Sequence, residues 1–298
     1  MARQSCTEQR IISLMKIPKR IEPLFQDGLV DEVIRPLMSG KEAAVYVVRC
    51  GTDIRCAKVY KEADQRSFRQ RVLYQEGRKV RSSRRARAME KGTGYGRKEQ
   101  EAAWQNGEVI ALYRLAAAGV RVPQPYAFVD GVLLMELVTD ADGHAAPRLN
   151  DLEMTAEEAR EHHCVLIAQI VRMLCEGLVH GDLSEYNVLL GSDGPVIIDL
   201  PQAVDAAGNN NARRMLERDV DNMAAYFGRF APELLSTDYG KEMWKLYQSG
   251  ELHPEAKLTG HFEHSKKPAD VGSVMREIDA ARQENEARRR YAQEAEQK

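Results

Sequence analysis

Short runs of apolar and β-branched residues in the first half of the chain predict a small sheet. Three such runs occupy residues 33–38, 44–48 and 54–60, and turn-forming residues separate them. Two further strands are expected within residues 126–138, with the reversal at Asp130-Gly131. The pattern therefore predicts five strands before residue 139.

Helical periodicity marks the longer segments of the chain. Apolar residues recur at three- and four-residue intervals over residues 101–118 and again over residues 156–176. Thr155 and Glu158 form a capping-box sequence before the second of these helices, and Gly177 follows its end. The remaining predicted helices occupy residues 215–230 and 236–262.

Three polar residues lie near the ends of two short strands that the pattern places around residue 190. The apolar runs before and after the turn-forming residues 191–194 predict a hairpin. Asp182 and Asn187 precede its first strand, and Asp199 follows its second. We therefore expect the three side chains to converge on one point.

The types and spacing of these residues indicate phosphoryl transfer. Asp182 and Asn187 are five residues apart, as are the proton-accepting aspartate and the magnesium-binding asparagine of the kinase catalytic loop. Asp199 follows a buried strand, as the other magnesium-binding aspartate of kinases does. A turn cap or a strand end would explain either aspartate alone. The combination, with His180 in front, favours a site that binds nucleotide phosphates through magnesium.

A lysine on a predicted apolar strand face supports the same conclusion. Alternation along residues 54–60 places Lys58 on the same face as Ile54, Cys56 and Tyr60, where its ammonium group needs a partner. The alternative is a lysine on the solvent face of the strand.

The loop Ser39-Gly40-Lys41-Glu42 precedes this strand and its neighbour. Gly40 would allow the backbone to approach phosphates closely. The loop has one glycine where ordinary kinases have three, so by itself it is weak evidence. Lys41 has the alternative of being an ordinary hairpin lysine.

The composition favours a cytoplasmic, globular protein. The chain has 298 residues, 43% of them hydrophobic, which suffices for two packed lobes or for one domain and a tail. Its five cysteines contain no Cys-x-x-Cys pair, so we expect reduced thiols. No segment has the roughly 18 apolar residues that a membrane-spanning helix needs, and the polar N-terminus predicts no signal peptide.

One segment is strongly basic, although the net charge of the whole chain is −2. Residues 78–98 contain nine basic residues and one acidic residue, which gives a local net charge of +8. Gly92, Gly94 and Gly96 should interrupt any helix there, so residues 66–100 are predicted to form a flexible loop. Contact with RNA phosphates and a solvated loop without a ligand both fit this pattern.

Three stretches resemble the RIO family of atypical serine/threonine protein kinases, in particular its short prokaryotic members. The Ser184-Glu185 pair and the Gly40-Lys41-Glu42 loop are the most specific features, and the likeness extends through most of residues 30–235. The stretches are Ser39-Gly40-Lys41-Glu42-Ala43-Ala44-Val45-Tyr46, His180-Gly181-Asp182-Leu183-Ser184-Glu185-Tyr186-Asn187 and Ile198-Asp199-Leu200-Pro201-Gln202-Ala203-Val204.

The resemblance implies an α+β, two-lobed protein-kinase-like fold with a small β-rich N-lobe and a helical C-lobe. The chain departs from ordinary protein kinases at three points. Gly181 replaces the arginine that reads a phosphorylated activation loop, and Pro201 replaces the glycine of Asp-Phe-Gly. The interval from Pro201 to Arg213 is too short for a folded activation segment. We therefore expect a C-lobe without a full activation segment and without the usual dock for an extended peptide.

The resemblance also implies a site for ATP and Mg²⁺, with Mn²⁺ as a substitute. Lys58 would hold the α- and β-phosphates with Glu108 as its partner, and Glu101 is the alternative partner. Asp182 would be the catalytic base. Asp199 would bind the metal with Asn187 and accept the phosphoryl group as a transient aspartyl phosphate. The other implied nucleotide contacts are Ser39, Gly40, Lys41, Glu42, Val45, Met135, Glu136 and Leu137.

The predicted organisation is a helical lead-in (1–29), an N-lobe (30–138) with the basic loop, a C-lobe (139–250) and a charged tail (251–298). The resemblance implies ribosomal RNA or a ribosomal particle as partner, contacted through the basic segment, and a monomer is expected. Two alternatives stand beside this interpretation. One is a small-molecule phosphotransferase of the aminoglycoside-kinase type, which shares the His-Gly-Asp sequence. The other is a binding module whose ATP hydrolysis times its release from a ribosomal particle.

Overall fold

The structure, a computed structural model, describes residues 19–40, 42–61 and 94–262, with side chains in the last range from residue 106 onward. The α-helices are α1 (Glu22–Gln26), α2 (Gly94–Ala117), α3 (Ala156–Cys175), α4 (Ala212–Phe227) and α5 (Tyr239–Ser249). The strands are β1 (Glu32–Ser39), β2 (Ala43–Cys50), β3 (Asp53–Tyr60), β4 (Pro125–Val129), β5 (Val132–Glu136), β6 (Leu178–Val179), β7 (Val188–Gly191), β8 (Gly194–Ile197) and β9 (Val204–Asp205). Short 3₁₀ turns lie at Lys19–Ile21, Leu149–Asp151 and Pro232–Ser236.

The first five strands form one antiparallel sheet in the order β1-β2-β3-β5-β4. The five strands predicted from the sequence are thus confirmed, with their ends within two residues of the expected positions. The reversal at Asp130-Gly131 is also confirmed, and both residues have positive φ angles, of 47° and 76°.

Both faces of the sheet are covered by other parts of the chain. Successive residues of β3 point to opposite faces, so they enter different cores. Ala57 and Val59 point to a small core that includes Ile21 and Leu24 of the lead-in, both fully buried. Tyr60 points to the opposite face, into the main core that also contains residues of α2. Residues 19–30 therefore pack against the sheet, and the other face of β3 is directed toward the helical lobe.

Helices α3, α4 and α5 form the helical lobe around the main core. The capping box at the start of α3 is confirmed, because Thr155 Oγ1 accepts from the Glu158 N–H and the Thr155 N–H donates to the Glu158 carboxylate. The predicted hairpin is also confirmed as β7 and β8, which pair from Val188 opposite Ile197 to Gly191 opposite Gly194. A two-residue turn thus separates the strands that flank the predicted site.

Helix α2 begins earlier than the sequence predicted. It starts at Gly94, whereas residue 101 was the expected start and Gly94 and Gly96 were expected to prevent a helix. Both glycines lie in the first turn, where backbone N–H groups have no intrahelical acceptor and where a glycine interrupts the fewest hydrogen bonds. The last seven residues of the predicted loop are therefore helical, and residues 62–93 lie outside the described residues.

The segment after Asp199 is short, as predicted. Residues 200–211 contain only turns and the two-residue strand β9, which pairs with β6, before α4 begins at Ala212. Within the described ranges, no helix is both long and apolar enough to cross a bilayer.

A buried histidine in the helical lobe predicts a loss of stability in mild acid. His163 is 2% exposed, and its ring centroid lies 5.6 Å from that of Phe227 and 5.7 Å from that of Tyr239. Burial lowers the pKa of His163 from 6.5 to about 4, so the unfolded chain binds a proton first as the pH falls. The free energy of unfolding should therefore decrease between pH 6.5 and about 4. The contribution of this residue is at most about 3 kcal/mol.

Urea unfolding across this pH range measures the effect. Replacing His163 by Leu should flatten the decrease in the free energy of unfolding, because the titrating group is gone. His162→Leu is the matched control, since His162 lies next to it on α3 and is partly exposed. A decrease that is as steep in His163→Leu as in the wild type would contradict the assignment.

Candidate active site

A cavity of about 570 Å³ lies between the five-stranded sheet and the helical lobe. A volume of this size accommodates a nucleotide-sized ligand. Among its lining residues, Val45, Lys58, Leu133 and Met135 come from the sheet, and Leu189, Ile198 and Asp199 come from the hairpin and the residues that follow it.

Lys58 lies at the polar end of this cavity between two carboxylates. Its Nζ is 2.5 Å from Glu108 Oε1 and 3.2 Å from Asp199 Oδ1. The Lys58 side chain is 13% exposed and that of Glu108 is 5% exposed, whereas that of Asp199 is 48% exposed. The pair Lys58–Glu108 is thus shielded from solvent, and Asp199 is open to a ligand.

The two carboxylates determine the charge state of Lys58. Burial alone would lower the pKa of Lys58, but Glu108 and Asp199 more than offset this and raise it above its ordinary value. The ammonium group therefore stays charged at every physiological pH. A buried cation beside an open acidic group is an arrangement suited to polyphosphate bound through a metal ion.

The backbone around Asp199 is fixed by contacts with the preceding loop. Asp199 has a φ of 66°, a left-handed conformation that aspartate tolerates better than most residues. The Ile198 N–H donates to the Asn187 carbonyl over 3.0 Å, and His180 Nε2 donates to the Ile198 carbonyl over 3.1 Å. These contacts tie Asp199 to the loop that carries Asp182.

Side chains of α4 bind the backbone of the loop from Gly181 to Leu183. The Asp219 carboxylate, 1% exposed, accepts from the Gly181 N–H at 2.7 Å and from the Leu183 N–H at 3.1 Å. Asn222 Nδ2 donates to the Leu183 carbonyl at 2.9 Å, and Arg218 donates to the Gly181 carbonyl. Burial raises the pKa of Asp219 to about 6, although nearby His180, the N–H groups of Gly181 and Leu183, and Arg218 oppose the shift.

Asp182 is exposed at the surface of this loop, and its neighbours fix its backbone. Its N–H donates to His180 Nδ1 over 3.3 Å, and its carbonyl accepts from Asn187 Nδ2 over 2.8 Å. Although the residue is exposed, the protein partly surrounds its carboxyl group and raises the pKa of Asp182, and nearby His180 and Arg218 oppose that shift. A carboxylate with a raised pKa accepts a proton more readily at neutral pH.

The carboxylate of Glu136, at the rim of the cavity, is bound by protein groups. Arg121 donates to its two oxygens over 2.8 and 2.7 Å, and the Gln124 N–H donates over 3.0 Å. The Arg121 N–H donates to Gln169 Oε1, and the Arg121 carbonyl accepts from the Ile197 N–H, both over 2.9 Å. Arg121 therefore links the end of β5 to α3 and β8 across the two lobes.

The turn between β1 and β2 is held by Lys61. Lys61 Nζ donates to the Gly40 carbonyl at 2.6 Å and to Ser39 Oγ at 3.3 Å, and the Lys61 N–H donates to the Glu42 carbonyl at 2.8 Å. The turn is thus fixed at both of its ends. Lys41 lies outside the described residues.

Most of the residues predicted for the site lie around the cavity. Ser39, Asp182 and Asn187 are not part of its described lining, and the side chain of Glu101 lies outside the described residues. The predicted residues that do line it are Gly40, Glu42, Val45, Lys58, Glu108, Met135, Glu136, Leu137 and Asp199.

Sequence analysis missed three residues that hold this site: Asp219, Arg121 and Tyr60. A signal for Asp219 was present, because it falls on the apolar stripe of α4, between Leu216 and Val220, where a carboxylate needs a buried partner. For Arg121 and Tyr60 the partners lie on other elements, and no local pattern predicts them.

Comparison with known proteins identifies relatives of most of the chain. A family model described as RIO domain matches residues 44–240. The protein named RIO-type serine/threonine-protein kinase Rio1 of Haloferax volcanii is 37% identical over 210 residues. That alignment covers 70% of this chain and 68% of the relative.

A fungal relative is longer than the region it shares with this chain. The serine/threonine-protein kinase rio1 of Schizosaccharomyces pombe is 32% identical over 245 residues. The alignment covers 79% of this chain and 46% of the fungal protein, so the chain spans less than half of that relative.

The fold also matches a solved structure, the Rio2 kinase–ADP/Mg²⁺–phosphoaspartate complex from Chaetomium thermophilum. The TM-score is 0.54 at 21% identity, and the match covers 90% of this chain and 81% of that chain. The likeness confirms the predicted kinase-like fold with a β-rich lobe and a helical lobe.

Proposed function

The chain belongs to the RIO family of serine/threonine protein kinases, and we propose that it transfers the γ-phosphoryl group of Mg-ATP at the site around Lys58. The observation that carries this proposal is the position of Lys58, between a buried glutamate and the half-exposed Asp199 at the polar end of the cavity. Family membership favours this activity over that of a small-molecule phosphotransferase.

The apolar part of the cavity would bind the adenine ring. Val45 and Leu133 form an apolar wall, and Met135 and Leu137 lie at the edge where β5 ends. The Glu136 N–H is bonded to the Gln124 carbonyl, and its carboxylate is bonded to Arg121. We therefore assign adenine recognition to the backbone around Leu137 rather than to the Glu136 side chain.

The polar end would bind the phosphates. Lys58 would contact the α- and β-phosphates while Glu108 holds its ammonium group in place. The turn from Ser39 to Glu42, fixed by Lys61, would cover the triphosphate. Lys41 is proposed to contribute to that cover.

The donor set fits a magnesium ion. Asp199 offers a half-exposed carboxylate, and Asn187 is fixed by its Nδ2 so that Oδ1 is the atom available to a cation. Both are hard oxygen ligands of the kind that Mg²⁺ prefers, and Mn²⁺ accepts the same ligands. The metal would neutralise charge on the β- and γ-phosphates.

Asp182 would act as the base that accepts the proton of an attacking water molecule or substrate hydroxyl group. Its backbone is fixed by His180 and Asn187, so the point from which its side chain extends is well defined. Its raised pKa improves it as a proton acceptor.

We further propose that Asp199 accepts the phosphoryl group before water does. In this step an Asp199 oxygen forms a bond to the γ-phosphorus while the bond from that phosphorus to the β–γ bridging oxygen breaks. ADP leaves with the electron pair, and water then hydrolyses the acyl phosphate to inorganic phosphate. The absence of a long segment between Asp199 and α4 supports this route, because little of the described chain covers the carboxylate.

Labelling with γ-³²P-ATP tests both the activity and the intermediate. The wild-type protein is expected to acquire an acid-stable, hydroxylamine-labile label on Asp199. Asp199→Asn should lose that label, whereas Asp193→Asn in the exposed β7–β8 turn should keep it. Label confined to serine, such as Ser82 or Ser83, or no hydroxylamine-sensitive label during turnover, would contradict the intermediate.

We propose a ribosomal RNA or ribosomal particle as the partner, contacted through residues 78–98. The support is the local charge of +8 in a chain whose net charge is −2. Electrostatic binding of RNA is driven by counterion release, so it weakens steeply with salt.

The salt dependence of RNA binding tests this partner. Replacing Arg84, Arg85 and Arg87 by Ser should make the slope of log affinity against log salt less negative, by roughly 0.7 for each lost phosphate contact. A charge-matched control replaces three arginines of the charged tail by Ser: Arg288, Arg289 and Arg290. RNA binding that is absent at low salt, or equally reduced by both triple variants, would exclude a specific role for residues 78–98.

A further inference from the structure

We propose that Tyr60 is a positioning residue for the phosphate-binding lysine and that it acts through Glu108. The inference rests on the proposed function, because it assumes that Lys58 contacts the nucleotide. Tyr60 lies two residues after Lys58 on β3, on the same face of the sheet. It lies outside the set of residues that the sequence motifs predict for the site.

Each oxygen of the Glu108 carboxylate has its own donor. Oε1 accepts from Lys58 Nζ over 2.5 Å, and Oε2 accepts from the Tyr60 hydroxyl over 2.7 Å. Glu108 is 4% exposed, so water cannot replace either donor easily. The orientation of the carboxylate that faces Lys58 therefore depends on the tyrosine hydroxyl.

The hydroxyl itself is held in a fixed position. Tyr60 is 1% exposed, and its ring packs edge-to-face against Phe128 with centroids 6.2 Å apart. Its N–H donates to the Gly131 carbonyl over 3.0 Å, and its own carbonyl accepts from Arg20 over 2.7 Å. Contacts from the lead-in, from β4 and from the β4–β5 turn thus immobilise the residue.

Loss of the hydroxyl would change which carboxylate binds Lys58. Glu108 Oε2 would be buried without a donor, which destabilises the present orientation of that carboxylate. Lys58 Nζ is already 3.2 Å from Asp199 Oδ1 and would shift toward it as its contact with Glu108 weakens. If the Lys58 ammonium group bound the Asp199 carboxylate more closely, it would compete with the metal ion that this carboxylate is proposed to bind.

The substitution Tyr60→Phe removes the hydroxyl and keeps the ring. We expect the KM for ATP to rise at least about fivefold, the lower limit for leaving a buried acceptor without its donor. The kcat should change less than about threefold, because saturating Mg-ATP would draw Lys58 back from Asp199 to the phosphates, and Asp182 and the residues that hold it are untouched. Hydrogen exchange of α2 around Glu108 should increase in the protein without nucleotide.

Tyr226→Phe is the matched control. Tyr226 is also buried, and its hydroxyl donates to the Leu149 carbonyl in the helical lobe. Removing that hydroxyl should lower the melting temperature comparably to Tyr60→Phe, yet leave the KM for ATP and the exchange of α2 unchanged. A purely structural role of Tyr60 would make the two variants behave alike.

A double-mutant cycle with Glu108→Gln tests the route of action. In the Glu108→Gln background no buried carboxylate depends on the hydroxyl, so Tyr60→Phe should change the KM less than about twofold. This comparison also applies if the single Tyr60→Phe variant fails to fold. A further fivefold rise in that background would overturn the inference.

The outcomes separate this inference from the proposed function. If the wild-type protein neither binds nor turns over ATP, the proposed function is wrong. Hydrogen exchange of α2 in Tyr60→Phe then still tests the contact between Tyr60 and Glu108. A folded Tyr60→Phe protein with unchanged KM and unchanged exchange would overturn the inference while leaving the function intact. A raised KM with faster exchange in Tyr60→Phe, and neither in Tyr226→Phe, would support it.

Discussion

Replacing Asp182 by Asn is expected to lower the steady-state rate of phosphate release from Mg-ATP by about 10²–10⁴-fold, the usual contribution of a general base. The change keeps the shape of the side chain but removes its ability to accept a proton. The affinity for Mg-ATP should change little, because the proposed phosphate contacts come from Lys58 and the β1–β2 turn, while Asp182 lies outside the cavity lining.

Steady-state phosphate release and equilibrium binding of Mg-ATP separate these two effects. Asp193→Asn, which removes the same charge from the exposed hairpin turn, should behave as the wild type in both measurements. If phosphate release by Asp182→Asn stayed within about threefold of the wild type, Asp182 would not be the base.

Replacing Lys58 by Met is expected to weaken Mg-ATP binding by roughly 10- to 100-fold. Hydrogen bonds between charged groups contribute about 1.5–3 kcal/mol, and Lys58 would form at least one with the phosphates. The change also leaves Glu108 buried beside Asp199 without its cation, so the free energy of unfolding should fall.

The double variant Lys58→Met/Glu108→Gln distinguishes lost affinity from lost stability. Removing the buried negative charge should restore part of the stability, because no unpaired carboxylate remains. The affinity for Mg-ATP should stay low in the double variant. Calorimetric titration showing wild-type affinity in either folded variant would exclude Lys58 as the phosphate ligand.

The parts of the site that the sequence predicted are those with local spacing rules. Asp182 and Asn187 are five residues apart on one loop, and Asp199 follows the hairpin that the turn at 191–194 specifies. Alternation along β3 likewise predicted the face of Lys58. Each of these inferences needs only the geometry of one short element.

The supports of the site come from residues distant in the sequence and could not be predicted in the same way. Asp219 binds the loop at Gly181 from 38 residues away, and Tyr60 binds Glu108 from 48 residues away. The apolar stripe of α4 marks Asp219 as a carboxylate that needs a buried partner, but it does not identify that partner, and the contact of Tyr60 leaves no periodic trace in the chain. Tertiary contacts of this kind become visible only once the helices and the sheet have been packed together.

The start of α2 could not be predicted from the sequence for a different reason. Gly94 and Gly96 weaken a helix when they lie inside it, and the sequence alone does not say whether they lie inside it or in its first turn. The Glu136 side chain is a similar case, because its pairing with Arg121 depends on the path of the segment between α2 and β4.

Mg²⁺-dependent release of the γ-phosphate of ATP, compared between the wild type and Asp199→Asn, tests the central claim most directly. The account predicts turnover by the wild type that stops when the metal is chelated, and loss of that turnover in Asp199→Asn with the fold retained. Asp193→Asn should match the wild type. Turnover that persists in Asp199→Asn, or that does not require the metal, would contradict the assignment of this site.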